Sequence, residues 1–327
     1  MTPQNVETFR LRWAGSKNGA RTQLAELLKS LPKDKKRDFG SRMNGVLGEI
    51  EETIERLRSK ASQTSSTTAI PLDITLPGAP RRLGAEHPVI KTMHEVTDVF
   101  RRMGYSVATG PEIETDYYNF EALNFPPNHP ARDTQDTLIV AAQSSKQLRE
   151  RLLLRTHTSP VQIRSMEAQR PPVRVVCPGK VHRNDAADAT HSPIFHQVEG
   201  LAVDEDITFC DLKGTLGHAM KMLFGSSVKT RFYPSFFPFT EPSADVQISC
   251  PFCGGKGCRP CKQSGWIELL GCGMVDPAVF GFVDYDPDKV SGFAFGMGVE
   301  RIAMMKYGID DIQLFYSGDV RFLEQFG

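Results

Sequence analysis

Two stretches near the start of the chain carry apolar residues at helical spacing. Between Asp34 and Lys60, apolar side chains recur at three- and four-residue steps, which predicts a helix with one apolar stripe. The stripe consists of Phe39, Met43, Val46, Leu47, Ile50, Ile54 and Leu57. A shorter helix is predicted from about Thr22 to Leu31, and Pro32 fits the break between the two. Because two helices with one stripe each cannot form a stable core alone, they are predicted to pack as an antiparallel hairpin.

Residues 61–80 separate this hairpin from the rest of the chain. The segment is rich in Ser, Thr, Pro and Gly and shows no periodicity, which is typical of a linker. A chain of 327 residues is long enough for two domains. The sequence therefore predicts a helical arm over residues 1–60, a linker over 61–80 and a larger domain over 81–327.

The larger domain shows a different pattern, with short β-prone runs and few helices between them. His87 to Met103 is amphipathic and predicts a helix that ends at Gly104, with a strand from Tyr105 to Ala108 after it. One further helix is predicted from Phe209 to Phe224. The other β-prone runs are Arg174–Val176, His196–Val203, Lys229–Tyr233, Trp266–Leu270 and Gly292–Phe295. The apolar run Val173–Cys177 and a second strand that begins near Ile194 flank a polar loop and are predicted to form a long hairpin. Many strands with few crossover helices favour an α+β fold, in which an antiparallel sheet is flanked by helices.

Charge narrows the class of protein only slightly. The 39 basic and 39 acidic residues cancel, so the whole molecule has no bulk attraction to nucleic acid. Residues 1–60 carry 13 Lys and Arg against 8 Asp and Glu, a net charge of +5. Such an excess is usual for a solvated helical surface, and contact with phosphate becomes the better interpretation only if the rest of the chain indicates RNA.

The apolar runs are too short for a signal peptide or a membrane span, so a cytoplasmic protein without a membrane partner is predicted. In that compartment the seven cysteines are expected to be thiols or metal ligands rather than disulfides.

Four of the cysteines stand in two Cys-x-x-Cys turns, which is the spacing of a metal knuckle. Four thiolates around one tetrahedral centre predict a closed structural Zn²⁺ site. Disulfides are disfavoured by the compartment, and an iron–sulfur cluster is less favoured still. The predicted ligands, in an insert over residues 250–261 that caps a hairpin, are Cys250, Cys253, Cys258 and Cys261. The three other cysteines lack partners at ligand spacing and are predicted to be core thiols, namely Cys177, Cys210 and Cys272.

Two distant segments each present one arginine after a β-prone or glycine-hinged approach. The first reads Gly179-Lys-Val-His-Arg-Asn-Asp185 and is followed by Phe195-His-Gln-Val-Glu-Gly200; the second reads Gly292-Phe-Ala-Phe-Gly-Met-Gly-Val-Glu-Arg301. The planar guanidinium groups of Arg183 and Arg301 fit phosphate oxygens, and on one sheet they can bind opposite ends of a triphosphate. Neither a phosphate-binding loop nor a complete dinucleotide fingerprint occurs. A nucleotide is therefore expected to be held by side chains.

These two segments resemble motifs 2 and 3 of the class II aminoacyl-tRNA synthetases. Four further stretches resemble, more narrowly, the alpha subunits of bacterial-type phenylalanine–tRNA ligase. They are Asn128-His-Pro-Ala-Arg-Asp-Thr-Gln-Asp-Thr137, Leu154-Arg-Thr-His-Thr-Ser-Pro160, Phe237-Pro-Phe-Thr-Glu-Pro-Ser243 and Leu270-Gly-Cys-Gly-Met-Val275. The likeness runs from about His87 to the C-terminus, with a weaker continuation over the arm. It implies a class II catalytic domain and an N-terminal coiled coil that contacts tRNA, shortened here because the chain begins late.

The resemblance implies a ligase that uses ATP and Mg²⁺ to form phenylalanyl-adenylate and passes the phenylalanyl group to tRNA(Phe). It also implies an α2β2 heterotetramer, and hence a beta-subunit partner. Two alternatives stay open. A class II paralogue that activates another amino acid is disfavoured by Phe237 and Phe239, and a non-catalytic RNA-binding relative is disfavoured by the two arginines.

The resemblance also assigns a nucleotide site. Arg183 is implied to bind the α-phosphate and the attacking carboxylate oxygen, His191 the pyrophosphate side, and Arg301 the γ-phosphate. Phe195 is implied to stack on adenine, although burial in the core is an equal alternative for a phenylalanine at this position. Two carboxylates in the matching segments are implied to meet Mg²⁺, Glu241 and Glu199.

An aromatic group and a polar group are predicted for the amino acid. Phe237-Pro238-Phe239 is short and stiff, and as a strand it would place both rings on one side, where they can flank a flat guest. Gln197 and Glu199 share one face of their strand and suit the substrate ammonium. The resemblance adds a polar pair and a pocket floor small enough to leave room for a phenyl ring, namely His157, Ser159 and Ala294.

Overall fold

The computed structural model describes residues 3–15, 17, 19–64, 75, 78, 84–128, 137–140 and 147–327. By its internal contacts the chain divides into two compact units, Met1–Arg81 and Arg82–Gly327. Of the predicted linker, residues 61–64 are helical, and beyond them only residues 75 and 78 are described.

The described residues of the first unit form three helices, α1 (Pro3–Ala14), α2 (Ala20–Ser30) and α3 (Lys33–Thr64). Helices α2 and α3 are the predicted pair, with α3 extending four residues beyond its predicted end. Arg21, at the start of α2, pairs with Glu51 in the middle of α3 at 3.3 Å, so the two helices run antiparallel. Leu47 and Ile54 of the α3 stripe are buried.

The two predicted helices are present, and α1 packs on α3 as a third helix that was not predicted. Val6 of α1 is buried, and Glu7 lies 3.6 Å from Arg58 of α3. Val6, Phe9 and Trp13 recur at three- and four-residue steps, so the helical signal was present in the sequence.

The second unit is built on nine strands and seven helices among its described residues. The strands are β1 (Ser106–Val107), β2 (Ile113–Thr115), β3 (Leu152–Leu154), β4 (Val173–His182), β5 (Ile194–Asp204), β6 (Thr230–Phe237), β7 (Thr240–Ser249), β8 (Trp266–Val275) and β9 (Ser291–Gly298). The helices are α4 (Pro88–Arg102), α5 (Asp116–Asn119), α6 (Ser159–Ala168), α7 (Phe209–Phe224), α8 (Pro277–Gly281), α9 (Val299–Tyr307) and α10 (Val320–Leu323). Four 3₁₀ turns complete the unit, at Glu121–Leu123, Leu148–Glu150, Ile312–Phe315 and Glu324–Phe326.

Seven strands form the main sheet in the order β1-β4-β5-β9-β8-β7-β6, and β2 pairs with β3 in a second, two-stranded sheet. All neighbours in the main sheet are antiparallel except β1 and β4, which are parallel. The predicted antiparallel sheet is therefore mixed at one edge. The chain between β1 and β4 is long enough to connect two parallel strands. Two short β-prone runs in a sequence do not reveal whether the strands pair in parallel or antiparallel.

Alternation along the strands divides the core into two clusters. On β5, Val198 and Ala202 pack with helices α4, α7 and α9, whereas Leu201 and Val203 pack with residues of α6 and α8. Successive side chains of a strand point to opposite faces, so the two clusters lie on opposite sides of the sheet. Gln197 and Glu199 have the parity of Leu201, which places them on the face that α6 covers.

Candidate active site

A cleft of about 990 Å³ opens on this face of the sheet. In the register of β5 and β9, Leu201 lies opposite Ala294 and Glu199 opposite Gly296. These small β9 residues leave the floor of the cleft open, since a Cβ atom at Gly296 would approach the Glu199 side chain to 3.0 Å. The lining contains most of the predicted site residues, namely His157, Ser159, Arg183, His191, Gln197, Glu199, Phe237, Phe239, Ala294 and Arg301.

Arg183 follows the last residue of β4 and opens the loop of the predicted β4–β5 hairpin. Its Nε donates a hydrogen bond to the carbonyl oxygen of Thr156 at 3.1 Å, and its guanidinium carbon lies 5.0 Å from the centroid of the Phe195 ring. Burial lowers the pKa of the guanidinium, which nevertheless stays charged at any physiological pH. No carboxylate in the described part of the chain lies within ion-pair distance of it, so its charge is available to an anion.

Arg301 lines the same cleft from the first turn of α9. The helix begins after Gly298 and ends at Gly308, which adopts the left-handed conformation (φ 69°) usual for a helix stop. The Arg301 side chain is exposed and lines the cleft. Free backbone amides and the helix dipole favour an anion at this end of α9.

The hairpin loop places His191 at the mouth of the cleft. Nδ1 of His191 lies 3.0 Å from Oδ2 of Asp188, and Oδ1 of the same carboxylate accepts hydrogen bonds from the backbone amides of Thr190 (2.6 Å) and His191 (2.7 Å). These contacts hold the pKa of Asp188 far below its usual range. Residues 188–191 therefore form a tight turn around one ionised carboxylate.

Glu199 is the buried acid of the site. Its carboxylate accepts hydrogen bonds from Ser159 Oγ (2.5 Å), Gln162 Nε2 (2.9 Å) and the backbone amide of Thr158 (3.2 Å). Burial raises its pKa, and these donors oppose that shift. Three donors therefore compensate the burial of a carboxylate that lines the cleft.

Two polar side chains beside Glu199 lack partners. Oε1 of Gln197 and both ring nitrogens of His157 are buried without a hydrogen-bond partner in the described part of the chain. Burial, followed by the nearby charge of Arg183, lowers the pKa of His157 to about 3. Buried polar atoms are usually hydrogen-bonded, so these three atoms can bind polar groups of a ligand.

The aromatic pair spans the end of β6 and the turn after it, so the predicted strand conformation is confirmed for Phe237 and wrong for Phe239. Phe237 ends β6, and Pro238 and Phe239 form the turn to β7. The two rings are nevertheless nearly parallel, with an angle of 11° and centroids 5.8 Å apart. Two stacked contacts of about 3.5 Å each need about 7 Å, so the space between these two rings is too narrow for a third ring.

The four knuckle sulfurs converge. Three of their separations are 3.5, 3.6 and 3.9 Å, and all four lie within 4.8 Å of one another. A tetrahedron with metal–sulfur bonds of about 2.3 Å has edges of about 3.8 Å, so the sulfurs fit one tetrahedral metal ion. The insert joins β7 to β8, as predicted, and Cys261 also lines the cleft.

The other three thiols match their prediction only in part. None of the seven cysteines forms a disulfide. Cys177 and Cys272 are buried, whereas Cys210 is exposed, so the prediction of a core position for Cys210 was wrong.

Comparison with known proteins places these features in one family. The model of the "tRNA synthetases class II core domain (F)" matches residues 71–326, and that of the "Aminoacyl tRNA synthetase class II, N-terminal domain" matches residues 2–67. The phenylalanine–tRNA ligase alpha subunit of Trichlorobacter lovleyi is 54% identical over 99% of this chain and 94% of its own length. That of Moorella thermoacetica is 52% identical over the same shares. The chain belongs to the family of phenylalanine–tRNA ligase alpha subunits.

A solved structure shows the same fold at low identity. The pyrrolysyl-tRNA synthetase of Desulfitobacterium hafniense superposes with a TM-score of 0.51, at 13% identity, over 95% of this chain and 91% of that one. This likeness supports the class II synthetase core, with its sheet flanked by helices.

Two residues that the family resemblance assigned are not among the cleft residues. Phe195 is half-buried beside Arg183. Glu241, at the start of β7, is exposed. The predicted roles of both side chains stay predictions.

Sequence reasoning missed two groups of cleft residues. Gln162 stands three residues after Ser159, which puts both on one face of α6, and this spacing could have revealed it. At the end near the knuckle, the Arg231 guanidinium lies 4.2 Å from the Trp266 ring centroid and 4.7 Å from that of Tyr233. No local spacing connects residues 231 and 266; only the pairing of β6, β7 and β8 brings them together.

In the described part of the chain, every helix is too short or too polar to cross a lipid bilayer.

Proposed function

We propose that this chain is the catalytic subunit that activates phenylalanine with ATP and transfers it to tRNA(Phe). The observation that carries the proposal is one cleft whose lining brings together aromatic rings, a buried acid and two arginines. Membership of the phenylalanine–tRNA ligase alpha-subunit family supports the same conclusion.

The amino acid lies with its phenyl ring over Ala294 and against the edges of Phe237 and Phe239. Its ammonium group binds between Glu199 and the unpartnered Oε1 of Gln197. Ser159 acts through Glu199, since its hydroxyl already donates to that carboxylate. His157 is neutral at physiological pH and offers one donor and one acceptor to the polar atoms of the substrate.

In the first step a carboxylate oxygen of phenylalanine attacks the α-phosphorus of ATP. A phosphorus–oxygen bond forms to the amino acid, and the bond to the bridging oxygen breaks as pyrophosphate leaves with its electron pair. Arg183 stabilises the charge that builds on the α-phosphoryl oxygens, while His191 and Arg301 bind the pyrophosphate end. Because these charges are already in place, positioning and electrostatics carry the reaction without a side-chain nucleophile.

In the second step the 2′-hydroxyl of the terminal tRNA ribose, the acceptor in this family, attacks the carbonyl carbon of the adenylate. The phenylalanyl ester forms and AMP leaves. The resulting ester is the product that a charging assay detects.

The two metals differ in how well the residues fit them. The four knuckle thiols fit Zn²⁺ in number, separation and chemistry, and the ion would cross-link the β7–β8 connection without taking part in catalysis. Mg²⁺, which class II synthetases use with ATP, lacks a comparable cluster of ligands in the described residues. Phosphate oxygens and water are its usual ligands in such sites.

The assembly in this proposal is an α2β2 heterotetramer with a beta subunit, acting in the cytoplasm. The helical arm, with its net charge of +5 over residues 1–60, contacts the tRNA backbone.

The test is charging of total tRNA by the purified complex of alpha and beta, followed by identification of the esterified amino acid. Phenylalanine attached to tRNA(Phe) supports the proposal. Another amino acid would indicate a class II paralogue. Tight tRNA binding without charging by a folded complex would indicate a non-catalytic RNA-binding relative.

A further inference from the structure

The C-terminal segment Asp311–Tyr316 contacts the nucleotide end of the cleft from behind. The side-chain amide of Gln313 donates to two backbone carbonyls of the hairpin loop, those of Asp188 (3.1 Å) and His191 (3.2 Å). The backbone amide of Ile312 donates to the carbonyl of Ala189 at 3.0 Å. Three hydrogen bonds therefore hold the turn that presents His191.

The same segment reaches the start of α9. The Tyr316 hydroxyl donates to Oε1 of Glu300 at 2.5 Å. The Glu300 side chain is 2% exposed and precedes Arg301. Its carboxylate also accepts from the backbone amide of His196 (2.9 Å) and lies 2.8 Å from Nδ1 of that histidine, between Phe195 and Gln197 on β5.

Both contacts start from one well-anchored piece of chain. Phe315 is 3% exposed and packs against the Phe322 ring, and its carbonyl oxygen lies 2.8 Å from Nε2 of His87 at the start of α4. Asp311 accepts a hydrogen bond from the amide of Gln313 at 2.9 Å and so fixes the 3₁₀ turn. The segment is thus anchored by Phe315 and Asp311, and it directs the polar side chains of Gln313 and Tyr316 toward the hairpin loop and α9.

We infer that Asp311–Tyr316 is a positioning clasp for ATP, which sets the separation between the His191 turn and Arg301. Gln313 acts through the loop backbone, and Tyr316 acts through Glu300. Gln313, Tyr316 and Glu300 are not among the residues that line the cleft, so they are positioning residues. The inference rests on the proposed function, because it assumes that His191 and Arg301 bind the phosphates.

The clasp predicts an effect on ATP that spares phenylalanine. In the Gln313→Ala variant two hydrogen bonds to the loop are lost, and the KM for ATP in pyrophosphate exchange is expected to rise about tenfold. In Tyr316→Phe one hydrogen bond is lost, and a rise of about fivefold is expected. The KM for phenylalanine should stay within about twofold in both, because Glu199, Gln197 and the phenylalanine rings are untouched.

Gln313→Glu separates positioning from simple packing. It keeps the size of the side chain but directs carboxylate oxygens at two carbonyl oxygens, so it should impair ATP binding more than Gln313→Ala does. Leu314→Ala, in the same turn with an exposed side chain, is the matched control and should match the wild type.

Hydrogen exchange of the loop tests the clasp without any substrate. In the alpha–beta complex, the peptide covering residues 186–193 should exchange faster in Gln313→Ala and Gln313→Glu than in the wild type and Leu314→Ala. Unchanged hydrogen exchange of this peptide in the Gln313 variants, or equal losses of ATP affinity and phenylalanine affinity, would overturn the inference. A wild-type complex that shows no pyrophosphate exchange with any amino acid would contradict the proposed function instead. The hydrogen exchange of residues 186–193 would still decide whether the clasp holds the loop.

Discussion

Burial of His157 makes the free energy of unfolding depend on pH, and the size of this effect follows from the pKa of the imidazole. The side chain is 5% exposed, and its pKa falls from 6.5 to about 3 because burial disfavours the imidazolium. Between these two values the native state binds fewer protons than the unfolded chain, so stability decreases as the pH falls below 6.5. Each pH unit costs about 1.4 kcal/mol, which gives about 2 kcal/mol between pH 7.5 and pH 5.

The assay is urea unfolding of the alpha chain at several pH values, for the wild type and for His157→Asn. Every other titrating group is shared, so the difference in unfolding free energy between the two proteins isolates His157. We expect this difference to change by about 2 kcal/mol from pH 7.5 to pH 5, with the wild type losing the greater stability on acidification. His218→Asn, at an exposed position, is the control and should give parallel curves. Parallel curves for His157→Asn as well would refute the buried, neutral imidazole.

Three further predictions concern the cleft and the knuckle. In Glu199→Gln, phenylalanine should bind about a hundredfold more weakly by calorimetry, since a buried charge partner of the ammonium is lost. The affinity of the wild type for phenylalanine should rise as the pH passes through the raised pKa of Glu199, because only the ionised carboxylate pairs with the ammonium. This rise should be absent in Glu199→Gln. It should persist in the control Glu268→Gln, which changes an exposed residue of the cleft. In Cys258→Ser, zinc measured by mass spectrometry should fall from about one ion per chain to well below that, whereas Cys210→Ser should keep it; a wild type that carries iron, or no metal, would contradict the zinc assignment. In Phe237→Ala, the KM for phenylalanine should rise at least about tenfold. Phe236 also lines the cleft, but its ring is 64% exposed, so Phe236→Ala should change this KM little; equal effects would argue against an edge-on aromatic pocket.

Local signals predicted the fold well where a segment specifies its own structure. Helix α7 has the predicted bounds, and Thr208 and Asp211 form a capping box at its start. The β4–β5 hairpin was likewise predicted from two apolar runs on either side of a polar loop.

Tertiary context decided the elements that were missed. Strand β7 contains Pro242 and alternates weakly, yet it lies between β6 and β8, whose backbone groups complete its ladder. Strand β6 likewise extends through Pro234 to Phe237, beyond its predicted end at Tyr233. The strands that pair with β6 and β7 cannot be identified from a local window of sequence.

The site followed the same division. Family-like spacing predicted Arg183, Glu199 and Arg301, and all three line one cleft. The sequence could not show that Ser159 serves Glu199 across 40 residues, or that Tyr316 holds Glu300, because only the folded chain brings these side chains within hydrogen-bond distance. The rings of Phe237 and Phe239 lie side by side as predicted, although only Phe237 is in a strand and Phe239 is in the turn that follows β6.

The most direct test of the account is phenylalanine-dependent exchange of pyrophosphate into ATP by the alpha–beta complex, screened over all twenty amino acids. The account predicts exchange with phenylalanine, reduced at least about a hundredfold in Arg183→Ala, because a preorganised charge at the α-phosphate is lost. Exchange supported only by another amino acid would contradict the pocket assignment. Exchange that persists undiminished in Arg183→Ala would contradict the site itself.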